Sequence, residues 1–328
     1  MKLATLKTSD TKKRNGELVL VTRDNLRAAR VPVGMPTTLI EALQNWKEVE
    51  PKLRQIHEDL DLGKLGGSFP LDPADCLAPL PHAPGFYDGS AFLSHVFRAR
   101  KSRGDDMPPS AKVIPLMYQG VSDYCLAAHD SIRLMDESFG GDFEGEFAVI
   151  TTDVPRGTSS ENAGQYIALL TMFNDITYRE LLKKEIEFKF GFLQSKPNSS
   201  YAPFAITPDE LGDRWENGRV HLDLNVEFNG KLFGHPNGRE MQFSFSQLVA
   251  HAARTRPLSA GSIVGSGTVS NENKEVGFAC LTEKRFQEIL DTGKAETPWL
   301  KPNDRVVLDV TLNGNSVFGA IDEKTVLN

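Results

Sequence analysis

Asp88 and His95 stand seven positions apart in the stretch FYDGSAFLSH, which shows little regular pattern. An aspartate can bind a metal ion, and a histidine can remove a proton from water as a general base. The same two residues could also be ordinary polar positions on a loop. The pair alone does not decide between these interpretations, so the question is whether other carboxylates can meet Asp88 in space.

Two glutamates alternate with other residue types in the stretch DFEGEFAVITTDVP. Because successive side chains of a strand point to opposite faces, Glu144 and Glu146 would share one face, about 7 Å apart along the strand. Like charges about 4 Å apart cost on the order of 4 kcal/mol at an effective dielectric constant of about 20, so convergence there would call for a bound cation or a raised pKa. The alternative is an exposed strand edge on which both carboxylates face water.

A third acidic position lies in MFNDITYRELLKKE, where Asp175 stands at the start of a predicted helix and Arg179 follows four residues later. Helix capping and an ion pair across one helical turn would explain both residues without any function. Together, however, Asp88, Glu144, Glu146 and Asp175 would form a set of four carboxylates. Such all-oxygen ligands are typical of Mg²⁺, Ca²⁺ or Mn²⁺ rather than of zinc.

Three further candidates lie in loops or at a helix start. Lys196 belongs to a loop rich in glycine, serine and proline, Thr268 ends the glycine-rich stretch GSGT, and Glu283 opens a predicted helix. Glycine-rich loops let the backbone come close to a ligand, but GSGT outside a strand-helix-strand unit is a weak signal for phosphate binding. Each residue also has an ordinary interpretation: a surface lysine, a turn, and a first-turn carboxylate that the helix dipole favours.

The elements that must position these residues fall into two units. The first eighty residues contain short apolar segments and an amphipathic helix that begins near Thr38, where Thr38 and Glu41 fit a capping box. Five prolines within residues 70–85 then favour extended chain. We therefore predict a small N-terminal α+β domain over residues 1–80 and a larger catalytic domain over residues 81–328.

Strand signals dominate the larger domain. The stretch VHLDLNVEFNGKLFG alternates apolar and polar residues before Asn229 and Gly230, a dipeptide that suits a tight hairpin turn, and Asn313 with Gly314 repeats the pattern. Helices are predicted at about residues 162–173, 176–187, 246–255 and 283–291. They are too few for strict alternation of strand and helix, so the predicted fold class is α+β, mostly β.

Composition argues against several kinds of partner. The 328 residues include 37 Lys and Arg against 44 Asp and Glu, a formal charge of -7, without the basic cluster that nucleic acid binding requires. No apolar run has the length of a membrane span or the pattern of a signal peptide, so we expect a cytoplasmic protein. Cys76, Cys125 and Cys280 lack the spacing of a zinc site or a disulfide framework and are predicted to be free thiols.

Several stretches, taken in order, resemble the fumarylacetoacetate hydrolase family from about residue 80 to the end: FYDGSAFLSH, YQG, EGEFAVITTDVP, FNDITYRELLKKE, GFLQSKPNSSYAPFAITPDELG, and GSGTVSN followed by ACLTEKR. The N-terminal block also resembles the small leading domain of fumarylacetoacetases and their bacterial relatives. The resemblance implies a fumarylacetoacetase-like mixed β-roll catalytic domain, a homodimer and a bound divalent cation, Mg²⁺ or Ca²⁺ or else Mn²⁺.

The resemblance also implies a role for each candidate residue. The metal ligands fall on Asp88, Glu144, Glu146 and Asp175. The catalytic histidine falls on His95, with Glu283 to orient it, while the basic residues that stabilise developing negative charge fall on Arg179 and Lys196. Substrate contacts fall on Tyr118 and Thr268. Two positions depart from the family and suggest an altered pocket: Ser90 replaces an aromatic residue of the animal enzymes, and Leu182 replaces the glutamine of the fumarylacetoacetases.

The function implied by the resemblance is hydrolytic cleavage of a carbon–carbon bond in a β-diketo acid. The expected substrate is fumarylacetoacetate, cleaved to fumarate and acetoacetate in the catabolism of tyrosine, phenylalanine or related aromatic compounds. Alternatives within the same fold are an acylpyruvate hydrolase and an oxaloacetate-type decarboxylase or isomerase. An alternative of another class is a non-catalytic cation-binding β protein, but the joint presence of a base, acidic ligands and basic residues favours an enzyme.

Overall fold

The computed structural model describes residues 1–10 and 14–328. The α-helices of this part of the chain are α1 (Leu39–Gln44), α2 (Trp46–Asp61), α3 (Leu93–Lys101), α4 (Ser160–Ala163), α5 (Arg179–Phe188), α6 (Phe245–Ala252) and α7 (Leu281–Thr292). The strands are β1 (Lys2–Leu6), β2 (Glu17–Val21), β3 (Arg27–Arg30), β4 (Phe69–Pro70), β5 (Phe86–Gly89), β6 (Met117–Gly120), β7 (Ile132–Leu134), β8 (Gly141–Asp142), β9 (Gly145–Thr151), β10 (Ile167–Asn174), β11 (Thr177–Tyr178), β12 (Ser200–Tyr201), β13 (Phe204–Ile206), β14 (Trp215–Glu216), β15 (Arg219–Val220), β16 (Asn225–Phe228), β17 (Lys231–Gly234), β18 (Ile263–Gly265), β19 (Arg305–Asp309), β20 (Thr311–Leu312), β21 (Asn315–Ser316) and β22 (Ile321–Leu327).

The largest sheet has eleven strands, ten of them in the order β4-β3-β2-β1-β13-β10-β9-β18-β5-β6, with β12 paired to β10. β18 runs parallel to β5, whereas β9 is antiparallel to β18 and β6 is antiparallel to β5, so the sheet is mixed. A second sheet has the order β17-β16-β19-β22-β7, and its β22 and β7 are also parallel. The predicted fold class, α+β with a predominance of strands, is confirmed.

The N-terminal strands extend the same sheet, because β1 pairs with β13 of the larger unit. Ion pairs add to this contact: Arg23 lies 2.8 Å from Glu210, and Arg54 lies 2.7 Å from Asp209. In the N-terminal unit, His57 is buried and its Nε2 lies 3.0 Å from the Val21 carbonyl oxygen, so this histidine belongs to the core.

One predicted helix is wrong. Residues 162–173 form not a helix but mainly the strand β10, after the single turn of α4. β10 lies between β9 and β13 and is buried along nearly its whole length. A strand buried on both faces reads as a continuous apolar run, which periodicity cannot distinguish from a buried helix. The helices predicted near 176–187, 246–255 and 283–291 are confirmed as α5, α6 and α7.

The cysteines agree with the expectation drawn from their spacing. Cys76, Cys125 and Cys280 are buried free thiols. Among the described residues, the helices lack the combination of length and apolar character that a membrane crossing requires. The interior is rich in aromatic contacts, and the rings of Phe86, Phe173 and Tyr201 pack together at centroid distances of 5.3 to 6.3 Å beneath the central strands. Because Phe86 lies on β5 and Phe173 on β10, these contacts join two of the strands beside the candidate site.

Candidate active site

The central strands bring together residues that are far apart in sequence. Asp88 on β5 lies opposite Tyr118 on the neighbouring β6 and opposite Gly265 on β18. Glu146 on β9 lies opposite Phe173 on β10, and Asp175 directly follows the end of β10. Because β9, β10, β18 and β5 neighbour one another in the sheet, sheet register alone places the carboxylates of this set in one region.

The GSGT stretch has a structural role that the sequence interpretation as a simple turn did not include. A Cβ atom at Gly265 would lie 2.3 Å from the Asp88 Oδ1, so only glycine allows this carboxylate to pack against β18. Gly267 adopts a φ of +79°, and its backbone N–H donates to the Asp88 Oδ1 at 3.1 Å. The two glycines therefore form the wall against which Asp88 is held.

Asp88, Glu146 and Asp175 form a carboxylate cluster in which each residue offers an oxygen within 4.8 Å of the others. All three side chains are buried, and Glu146 is 0% exposed. Within residues 1–10 and 14–328, neither oxygen of Glu146 receives a hydrogen bond from a donor group. Burial and the neighbouring Asp175 raise the pKa of Asp88 to about 8, while burial and the neighbouring Asp88 raise the pKa of Glu146 well above its usual range.

Glu144, the fourth predicted ligand, borders this cluster but is already saturated with donors. Its Oε1 accepts hydrogen bonds from Arg179 at 2.6 Å and Thr268 at 2.7 Å, and its Oε2 accepts from Lys196 at 2.7 Å and Thr177 at 3.2 Å. Burial alone would raise the pKa of Glu144, but Arg179 and Lys196 outweigh it and hold that pKa well below its usual range. A role for Glu144 as a metal ligand stays a prediction.

The two non-functional alternatives considered for these acidic residues are wrong. Glu144 and Glu146 are 5% and 0% exposed, so they do not lie on a solvated strand edge. Asp175 precedes α5 by several residues and does not pair with Arg179. Its Oδ2 accepts from Lys196 at 2.5 Å and from the Tyr118 hydroxyl at 2.6 Å, and its Oδ1 accepts from Ser199 at 2.8 Å.

Arg179 and Lys196 supply the buried positive charge of the site. The Arg179 Nε donates to Asp142 at 2.8 Å and its Nη2 donates to Glu144, while the Lys196 ammonium bridges Glu144, Asp175 and the Thr177 hydroxyl. Burial alone would lower the pKa of Lys196, but the carboxylates of Asp175 and Glu144 raise it above its usual range. Both cations are therefore charged and fixed in place.

Charge balance shows that the site suits a cation. Its five buried carboxylates, Asp88, Asp142, Glu144, Glu146 and Asp175, outnumber the two buried cations, Arg179 and Lys196. Buried carboxylates without a counter-charge are strongly disfavoured, and the raised pKa values of Asp88 and Glu146 are the result. The unpartnered oxygens of Glu146 and the clustered oxygens of Asp88 and Asp175 fit a hard divalent cation such as Mg²⁺, Ca²⁺ or Mn²⁺.

His95 and Glu283 form a hydrogen-bonded pair beside the cluster. The His95 Nδ1 lies 3.1 Å from the Glu283 Oε2, and His95 lines the same cavity as Asp88 and Glu146. The other oxygen, Oε1, accepts from Arg98 at 2.7 Å and from Ser270 at 2.6 Å. Because a carboxylate can only accept, this arrangement places the His95 proton on Nδ1 and leaves Nε2 free to take a proton.

The start of α7 explains why Glu283 is aimed at His95. Asp142 accepts from the backbone N–H groups of Leu281 and Thr282, and the Cys280 sulfur accepts from the Glu283 N–H. His95, Cys280 and Glu283 also lie close enough to offer a second metal-binding group. Burial raises the pKa of the Cys280 thiol well above its usual value, which disfavours the thiolate that a metal would require.

The predicted substrate residues line a cavity of about 390 Å³ around these groups. Tyr118, Thr268, Ser90 and Leu182 all lie in its wall. The Tyr118 hydroxyl donates to Asp175 and the Thr268 hydroxyl donates to Glu144, so both hold carboxylates in place in this structure. A larger cavity of about 820 Å³, lined by Phe97 among others, includes none of the clustered carboxylates.

Sequence reasoning missed four residues that hold the site together. Asp142 fixes Arg179 and the first turn of α7, and Arg98 and Ser270 hold Glu283. The amide of Asn174 accepts from the Glu144 N–H at 2.9 Å and donates to the buried Glu323 at 2.7 Å. Two sequence patterns could have indicated these residues. Asp142, Glu144 and Glu146 follow one another at intervals of two residues, and Arg98 follows His95 by three positions, which is about one helical turn.

A mixed-sheet α+β fold that buries clustered carboxylates beside a histidine–glutamate pair fits the class of enzymes that hold a metal ion by oxygen ligands beside a general base. The comparison with protein families agrees: the model described as fumarylacetoacetate (FAA) hydrolase C-terminal matches residues 86–323, and the model described as fumarylacetoacetase N-terminal domain 2 matches residues 1–82. The chain therefore belongs to the fumarylacetoacetate hydrolase family, a superfamily of hydrolases, isomerases and tautomerases.

Known relatives show how varied that family is. The chain is 25% identical over 157 residues to a 2,4-didehydro-3-deoxy-L-rhamnonate hydrolase of Sphingomonas sp. strain SKA58. This match covers 47% of the chain and 52% of the relative. It is 29% identical over 133 residues to oxaloacetate tautomerase YisK of Bacillus subtilis, covering 40% of the chain and 42% of the relative. The chain thus spans about half the length of the curated relatives it matches.

A solved structure shares the whole fold. Maleylpyruvate hydrolase from Sphingobium sp. SYK-6, in complex with manganese(II) ion and pyruvate, covers 100% of both chains with a TM-score of 0.65 and 14% sequence identity. At this level of identity the likeness establishes the fold alone. The predicted fumarylacetoacetase-like architecture, with its N-terminal domain, is confirmed.

Proposed function

We propose that this protein is a metal-dependent hydrolase that cleaves a carbon–carbon bond of a β-diketo acid. The observation that carries the proposal is the position of the hydrogen-bonded pair His95 and Glu283 in the same cavity as the carboxylates of Asp88 and Glu146. A site for metal binding alone would not need an oriented base, nor would decarboxylation, whereas enolisation would use the base on a carbon-bound proton and not on water. The likeness to the 2,4-didehydro-3-deoxy-L-rhamnonate hydrolase gives further support.

The chain's own residues divide the chemistry as follows. Glu283, itself held by Arg98 and Ser270, orients the His95 ring. The free Nε2 of His95 removes a proton from water, and the resulting hydroxide attacks the ketone carbon. The bond between that carbon and the adjacent methylene then breaks, and His95 returns the proton to the methylene carbon. The products are a carboxylic acid and a shortened keto acid, which together contain the atoms of the substrate and one water.

The carboxylates Asp88, Glu146 and Asp175 would hold the divalent cation, with Glu144 as the predicted fourth ligand. When bound, Mg²⁺, Ca²⁺ or Mn²⁺ acts as a Lewis acid that polarises carbonyl oxygens and stabilises negative charge on them. Lys196 and Arg179 form ion pairs with Asp142, Glu144 and Asp175, and their positive charge favours the anionic substrate. A direct contact of either residue with a developing oxyanion is part of this proposal.

Fumarylacetoacetate, an acylpyruvate and oxaloacetate, assayed in parallel, test the proposal. We expect cleavage of at least one diketo acid to be abolished by EDTA and restored by Mg²⁺ or Mn²⁺. His95→Ala should abolish cleavage while leaving metal affinity nearly unchanged, because His95 is not among the clustered ligands. Enolisation or decarboxylation of oxaloacetate, without cleavage of any diketo acid, would contradict a hydrolase.

The predicted homodimer and cytoplasmic location also remain predictions, and light scattering tests the first.

A further inference from the structure

The cavity of the candidate site has an apolar part that the proposed chemistry does not use. Four apolar side chains line it: Leu116, Met117, Leu182 and Phe192. Leu116 is 60% exposed although it lies at the cavity, and Leu182 and Phe192 are also partly exposed. Large apolar side chains that line a binding cavity and remain accessible are typical contacts for an apolar part of a ligand.

This apolar wall is directly connected to the reactive groups. Met117 precedes Tyr118 on β6, and the Phe192 ring packs against the Tyr118 ring at a centroid distance of 5.7 Å. Leu182 follows Arg179 by three positions on α5, which places both side chains on one side of that helix. A substrate with its keto-acid end at the carboxylate cluster would therefore extend its other end along this wall.

The positive charges of the cavity are fixed at its buried carboxylates by ion pairs. Of the described residues that line it, Arg179 and Lys196 are the arginine and lysine side chains, and both are bound to buried carboxylates. At Leu182, a glutamine or a basic residue could bind a polar group, but leucine cannot. A second carboxylate that lies against this wall would lose part of its water without gaining a cation as a partner.

We infer that the acyl end of the substrate is an apolar chain rather than a group that ends in a second carboxylate. The inference rests on the proposed function and narrows it to monocarboxylic diketo acids with an alkyl or aryl acyl group. It places fumarylacetoacetate, whose acyl end is a carboxylate, among the poorer substrates. Leu182, Phe192, Leu116 and Met117 are then the residues that determine specificity.

A matched pair of substrates tests the inference. Butanoylpyruvate and succinylpyruvate differ only in that a terminal methyl group of the first is a carboxylate in the second. In the presence of Mn²⁺, we expect kcat/KM for butanoylpyruvate to exceed that for succinylpyruvate by about tenfold or more, because a pocket without a counter-charge rejects the carboxylate. Equal values, or a preference for succinylpyruvate, would overturn the inference.

A pair of variants tests whether the apolar wall causes this substrate preference. Leu182→Lys places a cation in the apolar wall and should shift the preference toward succinylpyruvate by about tenfold. Ile186→Lys adds the same charge one turn further along α5 at an exposed position outside the cavity and should leave the preference unchanged. The same shift in both variants would show an effect of overall charge and would contradict the role of Leu182.

Binding of compounds that cannot be cleaved separates this inference from the proposed function. α-Ketoheptanoate and α-ketopimelate differ in the same terminal group but lack the second ketone. Calorimetry with Mn²⁺ present should show tighter binding of α-ketoheptanoate. If that preference is found while no diketo acid is cleaved, the apolar wall stands and the hydrolase proposal fails. If diketo acids are cleaved but neither pair shows a preference for the methyl end, the hydrolase stands and this inference fails.

Discussion

The Arg98 Nη1 lies 2.7 Å from the Glu283 Oε1, while the His95 Nδ1 lies 3.1 Å from the other oxygen of the same carboxylate. Arg98 is only 5% exposed, and its remaining donors bind the Gln287 side chain and the backbone carbonyls of Asn271 and Glu272. The guanidinium therefore fixes the Glu283 carboxyl group in one orientation. In the proposed mechanism Arg98 acts on His95 through Glu283, as a positioning residue.

Loss of this guanidinium should lower turnover more than substrate binding. We expect Arg98→Met to reduce kcat on the order of 10- to 100-fold with little change in KM, because His95 loses its fixed orientation. Arg98→Lys, which keeps the charge but not the fork of donors, should recover part of the rate. Lys101→Met, at an exposed position of the same helix, is the control. Steady-state kinetics measure each effect.

A double variant distinguishes positioning from general destabilisation. If Arg98 works through Glu283, the rate of Arg98→Met combined with Glu283→Gln should be close to that of Glu283→Gln alone. Multiplication of the two separate losses would show that Arg98 acts independently of Glu283. Thermal melts of all variants ensure that the compared proteins are folded.

Spacing within a single stretch of sequence could indicate only candidate site residues that lie close together in the chain. Spacing singled out Asp88 with His95, and Glu144 with Glu146, only as candidates; their roles came from the resemblance to the family, and the structure brings all four to one cavity. Spacing could not show which carboxylates converge, because that depends on the register between β5, β9, β10 and β18, whose residues are far apart in the chain. The supporting residue Arg98 was missed for the same reason, since its partner Glu283 lies 185 positions away.

The mistaken helix has a different physical origin. β10 is apolar along its length because both of its faces are buried, so the alternation that marks a half-buried strand is absent. The description of GSGT as a turn was incomplete, because no residue near it in the sequence indicates that Asp88 packs against Gly265. In both cases the missing information was a long-range contact, which no single stretch of sequence contains.

Gly265 provides a direct test of the wall around Asp88. A Cβ atom at this position would lie 2.3 Å from the Asp88 Oδ1, so Gly265→Ala must displace the carboxylate. Since displacement of a reactive group by about 1 Å can cost about 100-fold in rate, we expect a loss of kcat/KM of this order and a weaker affinity for Mn²⁺. Gly66→Ala, at a position with no atom within 4 Å of the new Cβ, is the control. Unchanged metal affinity in Gly265→Ala would contradict the placement of Asp88 in the metal site.

Glu146→Gln should change the folding stability in opposite directions with and without metal. Both of its oxygens are buried without a donor, so without metal Glu146 is held protonated against its ordinary pKa, and Glu146→Gln removes the free-energy cost of that protonation. In EDTA we expect the free energy of unfolding of the variant to exceed that of the wild type by about 1 kcal/mol. With saturating Mn²⁺ the order should reverse, because the variant loses at least about tenfold in metal affinity and binding stabilises the folded state. Urea unfolding and calorimetry measure both quantities.

An exposed carboxylate serves as the control for Glu146. Glu187→Gln on α5 makes the same chemical change at an exposed position and should alter neither quantity. A lower stability of Glu146→Gln in EDTA would contradict the view that this carboxyl group costs folding free energy when no metal is bound.

The buried histidine of the N-terminal unit makes folding stability depend on pH. Burial lowers the pKa of His57 to about 4 from its ordinary value of 6.5, and its Nε2 lies 3.0 Å from the Val21 carbonyl oxygen. Between these two pH values the unfolded chain binds the proton and the folded chain does not, so the contribution of His57 to stability is lost as the pH falls. The linkage relation gives a loss of about 2 kcal/mol from pH 7 to pH 5.

The variant His57→Gln isolates this effect from the other titrating groups. Its amide keeps a donor for the Val21 carbonyl but does not titrate, so the difference in unfolding free energy between the wild type and the variant should shrink by about 2 kcal/mol from pH 7 to pH 5. Urea unfolding at both pH values, with EDTA present to exclude metal effects, measures that difference. A difference that does not change with pH would show that His57 is protonated in the folded chain, contrary to its buried position.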